Sequence, residues 1–236
     1  MSNNILNNID ISTKELIVDG LQNSVELYKD FKEQGLFNTT HNCYAFARWD
    51  SINETLAQKF REMDLPFANV RKFSWALLLF CDKSKSVVFS AMRRDRFSHI
   101  CGNPQKRAPQ YFDSLVSLNS DLEAIASQPG FEECYEASDR YNQLASLCSA
   151  LPNPKNEKFT HVVVIFDVYG DEITSIELCV INNKFEIVEQ EDIMQTVLTA
   201  RQPVIEAEEI TEAIEQPAKR KGFVKLKNIK NIEEKA

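Results

Sequence analysis

The chain has 236 residues, of which 43% are hydrophobic and 26% are charged, and its formal net charge at pH 7 is −8. This composition is typical of a folded globular protein and excludes a disordered or fibrous chain. No apolar run approaches the roughly 18 residues that a membrane-spanning helix needs, and the asparagine-rich N-terminus lacks the basic leader and apolar core of a signal peptide. A cytoplasmic location without membrane contact is therefore expected.

Two helices are predicted in the first part of the chain. Ser12 and Glu15 have the spacing of a capping box, and apolar residues then recur at helical intervals until Gly35. A second helix is predicted to start near Asp50 and to stop before Pro66.

Two groups of strands follow, with helices between them. Residues 73–92 contain two apolar runs joined by a polar turn, which predicts a buried hairpin. Helices are predicted over residues 109–118 and 133–151. Residues 162–187 contain an apolar run, a turn, an alternating run and a second turn, which predicts a three-stranded meander.

These elements predict an α+β fold, in which a mainly antiparallel sheet is built from two hairpin or meander units and the helices pack on one face. Residues 1–11 are expected to be a flexible N-terminus, and residues 12–200 a single domain. An acidic helix or linker and a flexible basic tail are expected over residues 201–236. A division of the central domain near residues 152–154 stays an alternative.

Charge is distributed unevenly along the chain. Residues 71–107 contain nine basic and two acidic residues, a net charge of +7, so the rest of the chain carries −15. Residues 186–216 carry −8 and residues 218–236 carry +5. A local basic surface can attract an anion even when the net charge of the whole chain is negative.

The basic segment predicts a surface that contacts nucleic acid or an acidic protein partner. Cations neutralise phosphates, and rings such as Phe73, Trp75, Phe89 and Phe97 could stack on unpaired bases. The competing interpretation is that the rings belong to the core and that the arginines pair with acidic segments of the same chain, such as residues 186–216. The candidate binding residues are Arg71, Lys72, Arg93, Arg94, Arg96, Lys106 and Arg107.

The stretch SAMRRDRFSHI, residues 90–100, lies at the centre of this segment. It is expected to leave the end of a buried strand and to enter a turn or short helix. Met92 and Phe97 are expected to face inward and the arginines outward.

Few residues indicate catalysis. Asp167 ends an apolar strand and Glu177 lies on the predicted neighbouring strand, so the two carboxylates could converge and bind divalent ions, as in metal-dependent nucleases. No lysine follows Glu177 in the position that a restriction-nuclease-like core requires. The sequence has neither a Gly-x-Ser-x-Gly elbow nor a glycine-rich phosphate loop, so a nucleotide-driven enzyme is not expected and no cofactor is predicted.

Two His-x-Cys pairs have the chemistry of metal ligands. His41 and Cys43, together with His99 and Cys101, would supply the two nitrogens and two sulfurs of a tetrahedral zinc site. Neither pair has the usual Cys-x-x-Cys spacing, so incidental histidines are the favoured interpretation. The six cysteines are expected to be reduced, buried thiols.

Three motifs carry a resemblance to a known family: ARWDSIN at residues 47–53, FSAMRRDRF at 89–97 and IVEQED at 187–192. The chain is similar, over roughly residues 10–200, to an uncharacterised family of Gram-positive bacteria and their mobile elements. The resemblance implies no activity and no catalytic residues. It implies a bacterial setting linked to phage or defence.

The lack of a catalytic constellation favours a non-catalytic binding protein over an enzyme. One alternative is a metal-dependent nuclease or phosphodiesterase that uses Asp167 and Glu177. Another is a protein-interaction module that acts through a helical face or the C-terminal tail. The sequence predicts no oligomeric state.

Overall fold

A computed structural model of the chain describes residues 4–35, 42–72, 75–102, 111–122 and 158–202. The helices in these ranges are α1 (Ile11–Glu33), α2 (Asn42–Glu62), α3 (Arg94–Gly102), α4 (Tyr111–Val116) and α5 (Ile193–Ala200). The strands are β1 (Phe67–Lys72), β2 (Trp75–Asp82), β3 (Val87–Arg93), β4 (Thr160–Tyr169), β5 (Glu172–Ile181) and β6 (Ile187–Asp192). None of these helices has the length and apolar character needed to cross a membrane.

The six strands form one sheet in chain order, from β1 to β6. Neighbouring strands are antiparallel except β3 and β4, which are parallel. A parallel pair needs a long crossover connection, and the connection from β3 to β4 carries α3 and α4. The predicted α+β fold with a mainly antiparallel sheet is confirmed, and the parallel pair joins the two predicted strand groups.

Helices cover both faces of the sheet, as alternate residues of β4 show. Val162, Val164 and Phe166 pack in one hydrophobic cluster with α1 and α2, here called the α1/α2 face. Val163 and Ile165 pack in a second cluster with α3 and α4, here called the α3/α4 face. The expectation that the helices pack on one face is thereby corrected. The physical reason is that a strand buried on both faces reads as a continuous apolar run, as residues 162–166 do.

The α1/α2 face contains the larger part of the core. Phe60 of α2 is fully buried and stacks on Phe80, with 4.3 Å between the ring centroids. Gly20 lets α1 approach α2 closely, because a Cβ atom at this position would lie 2.8 Å from Cδ2 of Leu56. α5 adds the buried side chain of Ile193 to the same cluster.

Several boundaries differ from the predicted ones. α2 begins at Asn42, ahead of the predicted start near Asp50. Ser51, next to that predicted start, lies inside the helix, since its hydroxyl donates to the Ala47 carbonyl one turn earlier instead of capping a helix start. β1 and α5 were not predicted. The predicted helix over residues 133–151 and the predicted tail from residue 203 onward lie outside the described residues.

The N-terminal residues, expected to be flexible, lie against β6 in the structure. Leu6 and Ile9 are each 3% exposed. The backbone N–H groups of Ile5 and Leu6 donate to the Glu189 carboxylate at 2.9 and 2.8 Å. The described fold therefore includes residues ahead of the predicted boundary at residue 12.

Candidate functional site

Five of the predicted binding residues lie at one end of the sheet. β1 and β3 are both antiparallel to β2, and β4 is parallel to β3, so the carboxyl ends of β1, β3 and β4 share this end. Arg71 and Lys72 close β1, Arg93 closes β3, and Arg94 and Arg96 belong to the first turn of α3. We call these five residues the basic end. For Arg71 and Lys72, the structure describes the backbone but not the side chains.

The apolar residues around the arginines hold α3 in place. Met92 is 1% exposed at the end of β3, and Phe97 is 9% exposed in α3. The Phe97 ring packs edge-on against Phe112 of α4, with 6.3 Å between centroids. Met92 and Phe97 face inward and Arg93 and Arg96 are exposed, as predicted for residues 90–100, whereas Arg94 is half-buried and departs from the prediction that the arginines face outward.

Arg94 is enclosed by carboxylates of the same chain. Its Nε donates to Asp167 Oδ2 at 2.7 Å, and its Nη2 lies 2.5 Å from Glu177 Oε1. Each carboxylate also has a neutral donor, since Ser175 donates to Asp167 at 2.8 Å and the Gln190 amide donates to Glu177. The guanidinium is therefore fixed in one orientation, and its positive charge is balanced by carboxylates of the same chain.

The pKa shifts in this cluster follow from its contacts. Burial raises the pKa of the Asp167 carboxyl, but the hydrogen bonds from Ser175 and Arg94 together outweigh burial, so the pKa lies below its ordinary value. Burial lowers the pKa of the Arg94 guanidinium, while the contacts with Asp167 and Glu177 raise it by more. At neutral pH both groups are therefore charged.

Arg93 and Arg96 have a different environment from Arg94. The Arg93 side chain is 45% exposed, and its Nη2 lies 3.1 Å from Asp95, whose side chain is 67% exposed. Exposed ion pairs contribute only about 0–1 kcal/mol, so an external anion can displace Asp95 at little cost. Arg96 is exposed on α3. Lys106 and Arg107 lie outside the described residues.

The two predicted catalytic carboxylates lie on the same face of the sheet. In the register of β4 and β5, Asp167 pairs with Ser175 and Glu177 pairs with Ile165, so the two acids are diagonal neighbours on the α3/α4 face. The Arg94 guanidinium contacts both. Within the described ranges, no group of three or more His, Cys, Asp or Glu side chains has the arrangement of a metal site.

The three predicted zinc ligands that the structure describes are not brought together. Cys43 is carried by α2, which packs on the α1/α2 face, whereas His99 and Cys101 are carried by α3 on the opposite face of the sheet. Cys43, Cys101 and Cys179 form no disulfide; Cys43 and Cys101 are half-buried, and Cys179 is buried. His41 lies outside the part of the chain that the structure describes.

Two acidic residues of the 186–216 segment, Glu191 and Asp192, pair with residues other than the basic end. Glu191 holds Lys14 of α1 at 2.8 Å, and Asp192 accepts a hydrogen bond from the Gln195 backbone at the start of α5. Arg94 takes its partners from β4 and β5 instead. The predicted pairing of arginines within the chain is thus seen for Arg94, with carboxylates outside residues 186–216.

A cluster at the turn between β4 and β5 was not predicted. Asp171 receives the Lys32 amine at 2.6 Å and the Arg48 guanidinium at 2.9 Å, and Arg48 also lies 4.5 Å from the centroid of the Tyr28 ring. The adjoining cavity of about 10 Å³ is far smaller than the ~300–1,000 Å³ of ligand pockets. This cluster therefore fastens the turn to α1 and α2 and supports no small-molecule site.

A buried Ser–His pair was also not predicted. Ser90 Oγ and His161 Nε2 lie 2.9 Å apart between β3 and β4. Ser90 is 0% exposed and His161 is 1% exposed, so no substrate reaches them. Burial lowers the pKa of His161 to about 3, and the neutral ring packs on Phe112 with 5.6 Å between centroids. The pair is part of the core.

Comparisons with known proteins give a family without an assigned activity. No curated protein and no solved structure gives a significant match. The sequence model of a family described as a family of unknown function (DUF5986) matches residues 6–236. Because this match spans nearly the whole length, the chain belongs to the family of unknown function DUF5986.

Proposed function

We propose that the protein is a non-catalytic nucleic-acid-binding protein that contacts phosphates through Arg93 and Arg96. The observation that carries this proposal is the difference among three neighbouring arginines. Arg94 is enclosed by Asp167 and Glu177, whereas Arg93 and Arg96 stay exposed on either side of it. Arg94 thereby fixes the start of α3, and the exposed side chains of the flanking arginines lie where an external anion can reach them.

The position of β1 supports the proposal. Arg71 and Lys72 close this strand at the same end of the sheet, so four cationic positions besides Arg94 lie along the ends of β1, β3 and α3. A nucleic acid presents phosphates in a regular row, which matches a row of cations better than a single anion does. Arginine also binds phosphate oxygens through two parallel N–H groups, which gives both strength and orientation.

The salt dependence of binding tests the proposal. The affinity of the full chain for a labelled oligonucleotide is measured from low to moderate salt for the wild type, Arg93→Gln, Arg96→Gln and Arg94→Gln. Each phosphate contact contributes about 0.7–0.9 to the slope of log K against log salt, so Arg93→Gln and Arg96→Gln should each reduce the slope by that amount. Arg94→Gln should weaken binding without reducing the slope, because Arg94 acts through the position of α3.

A matched control comes from the opposite end of the sheet. Arg61 is 56% exposed, comparable with Arg93, and lies over Phe67 at the beginning of β1. Arg61→Gln should leave both affinity and slope unchanged. Failure of the wild type to bind any oligonucleotide at low salt would refute the proposal, and stronger binding of polyglutamate than of oligonucleotide in this assay would assign the basic end to an acidic protein partner.

A second candidate function is the metal-dependent nuclease, which the convergence of Asp167 and Glu177 on one face favours. It requires a divalent ion to replace the Arg94 guanidinium between the two carboxylates. Incubation of the wild type with single-stranded and duplex DNA in Mg²⁺ or Mn²⁺ tests it. Cleavage by the wild type that disappears in Asp167→Asn would establish the nuclease function. No cleavage by the wild type would rule out the nuclease and leave binding as the one proposed function.

The proposal places this function in the bacterial cytoplasm, in a setting linked to phage or defence, because that is what the sequence resemblance implies. Fractionation of bacterial cells that express the full chain tests the location. Recovery of the protein with the cytosolic nucleic acid agrees with the proposal, and recovery outside the cytosol contradicts it.

A further inference from the structure

Tyr169 is the most exposed large apolar or aromatic side chain among the described residues, with 83% exposure. It closes β4. The register of β4 with β5 shifts between Asp167 and Val168, but Val168 still packs against the α1/α2 cluster, so Tyr169, the next residue, lies on the opposite, α3/α4 face. A ring with this exposure contributes almost no burial to the core.

The backbone that carries Tyr169 is held in place. The next residue, Gly170, has a φ of +61° at the turn into β5, a conformation that glycine adopts without strain. Arg48 of α2 donates to the Gly170 carbonyl at 3.0 Å, and both Arg48 and Lys32 hold Asp171. The turn is thus fastened to two helices, and Tyr169 is presented outward from a fixed point.

Tyr169 lies beside the basic end. It follows Asp167 by two residues on the same face, a distance of roughly 7 Å along the strand, and Asp167 holds Arg94. In the register of the parallel pair, Arg93 is opposite Phe166 on the α1/α2 face, so Tyr169 lies about 10 Å farther toward this end of the sheet and on the opposite face from Arg93. A nucleic-acid strand of several nucleotides that crosses this end of the sheet therefore reaches both Arg93 and the ring.

Of the aromatic residues predicted for base stacking, Phe89 and Phe97 are 0% and 9% exposed and belong to the core. The side chains of Phe73 and Trp75 lie outside the described part of the structure. Tyr169 has the exposure that stacking needs, and it lies at the same end of the sheet as the cations.

We propose that Tyr169 is a base-stacking platform and that the ligand of the basic end is single-stranded nucleic acid. This inference rests on the proposed function and names its ligand class. The bases of a duplex are already paired and stacked, whereas an unpaired base gains about 5- to 150-fold in affinity by stacking on an aromatic ring. The phosphates of that strand bind Arg93 and Arg96.

The experiment compares three ligands with the full-length wild type, Tyr169→Ala and Tyr169→Phe. The ligands are a labelled single strand of about 12 nucleotides, the duplex of the same sequence, and an abasic strand of the same length. The wild type should prefer the single strand. Tyr169→Ala should lose about 5- to 150-fold for the single strand with an unchanged salt slope, and it should bind the abasic strand as the wild type does. Tyr169→Phe should keep the wild-type affinity, since the ring remains.

Phe46→Ala is the control, because Phe46 is 55% exposed on α2, and this helix packs on the face of the sheet opposite to that of Tyr169. It should bind all three ligands as the wild type does. If the wild type binds none of them, the proposed function itself fails. If the wild type binds but prefers the duplex, or if Tyr169→Ala binds the single strand normally, loses the abasic strand equally or has a smaller slope, the stacking inference is overturned while the phosphate contacts of the proposed function stand.

Discussion

At the scale of single residues, Arg94 separates two carboxylates that would otherwise face each other. Asp167 and Glu177 are diagonal neighbours with 40% and 18% side-chain exposure, so water screens their charges only partly. The guanidinium compensates both charges. Ser175 donates to the same Asp167 oxygen as Arg94, and Gln190 donates to the second oxygen of Glu177. Removal of the cation would leave two like charges close together at the end of β4 and β5.

Replacement of Arg94 by methionine should lower the free energy of unfolding by about 1–2 kcal/mol. This value lies between the ~0–1 kcal/mol of exposed ion pairs and the ~3–5 kcal/mol for breaking buried ones. Addition of Asp167→Asn should recover part of the loss, because one of the two repelling charges disappears. Urea unfolding measures both variants. A fully stable Arg94→Met protein, or no recovery in the double variant, would show that this account of the cluster is wrong.

The sequence predicts the orientation of residues 90–100 well and the roles of its arginines poorly. The inward orientation of Met92 and Phe97 follows from the pattern of apolar and polar residues around them, which can be read from neighbouring positions in the sequence. The partner of Arg94 is 73 residues away along the chain, so no local pattern distinguishes Arg94 from Arg93. The convergence of Asp167 and Glu177 was predictable because both belong to one hairpin.

At the scale of elements, the hairpin of β4 and β5 depends on contacts with α1 and α2. Asp171 forms ion pairs with Lys32 and Arg48, and its pKa is lowered chiefly by the hydrogen bond from Lys32. These contacts fasten a turn that would otherwise project from the sheet. They also explain how an exposed ring at Tyr169 is kept in a defined position.

Asp171→Ala should release this turn. We expect faster hydrogen exchange of the backbone amides over residues 170–173 and a loss of about 0.5–1 kcal/mol in unfolding free energy, because partly exposed ion pairs contribute little to global stability. Glu172→Ala is the matched control, since this neighbouring carboxylate is exposed in the same turn. Equal exchange rates in Asp171→Ala and Glu172→Ala would mean that the contacts with Lys32 and Arg48 do not hold the turn.

The strands were largely predictable, and their arrangement was not. Hairpins are local, so apolar runs and turn residues indicate them. The parallel pairing of β3 with β4 joins residues such as Val87 and Thr160 across a long connection, and periodicity says nothing about such a partner. Continuous apolar runs indicate strands that are buried on both faces of a sheet, whereas the predicted fold has helices on only one face.

At the scale of the whole molecule, stability is coupled to pH through the buried His161. Its pKa in the folded state is about 3, because burial disfavours the charged ring, whereas an unfolded histidine has a pKa of about 6.5. Between these values the unfolded chain binds one more proton than the folded one, so stability is fully present above pH 6.5 and falls as the pH decreases. Asp167, whose folded pKa is lowered, loses its contribution only at more acidic pH, below its unfolded value near 4.

Between pH 6.5 and 4.5, the wild type should therefore lose up to about 1.4 kcal/mol of unfolding free energy per pH unit through His161 alone. Urea unfolding at several pH values measures this slope. His161→Gln should be less stable at neutral pH, because it disturbs the contact with Ser90, but its slope in this window should be smaller. His99→Gln, at an exposed position of α3, should keep the wild-type slope.

Calorimetric unfolding of the wild type in two buffers of different ionisation enthalpy measures proton uptake directly, even if His161→Gln does not fold. An uptake of about one proton attributable to His161 near pH 5 is expected, because the unfolded imidazole is then largely protonated and the folded one is not. An uptake near zero would mean that His161 is charged in the folded protein. Since the ring is 1% exposed and packs on Phe112, a charged His161 would need a carboxylate or water at Nδ1 to offset the cost of burying its charge.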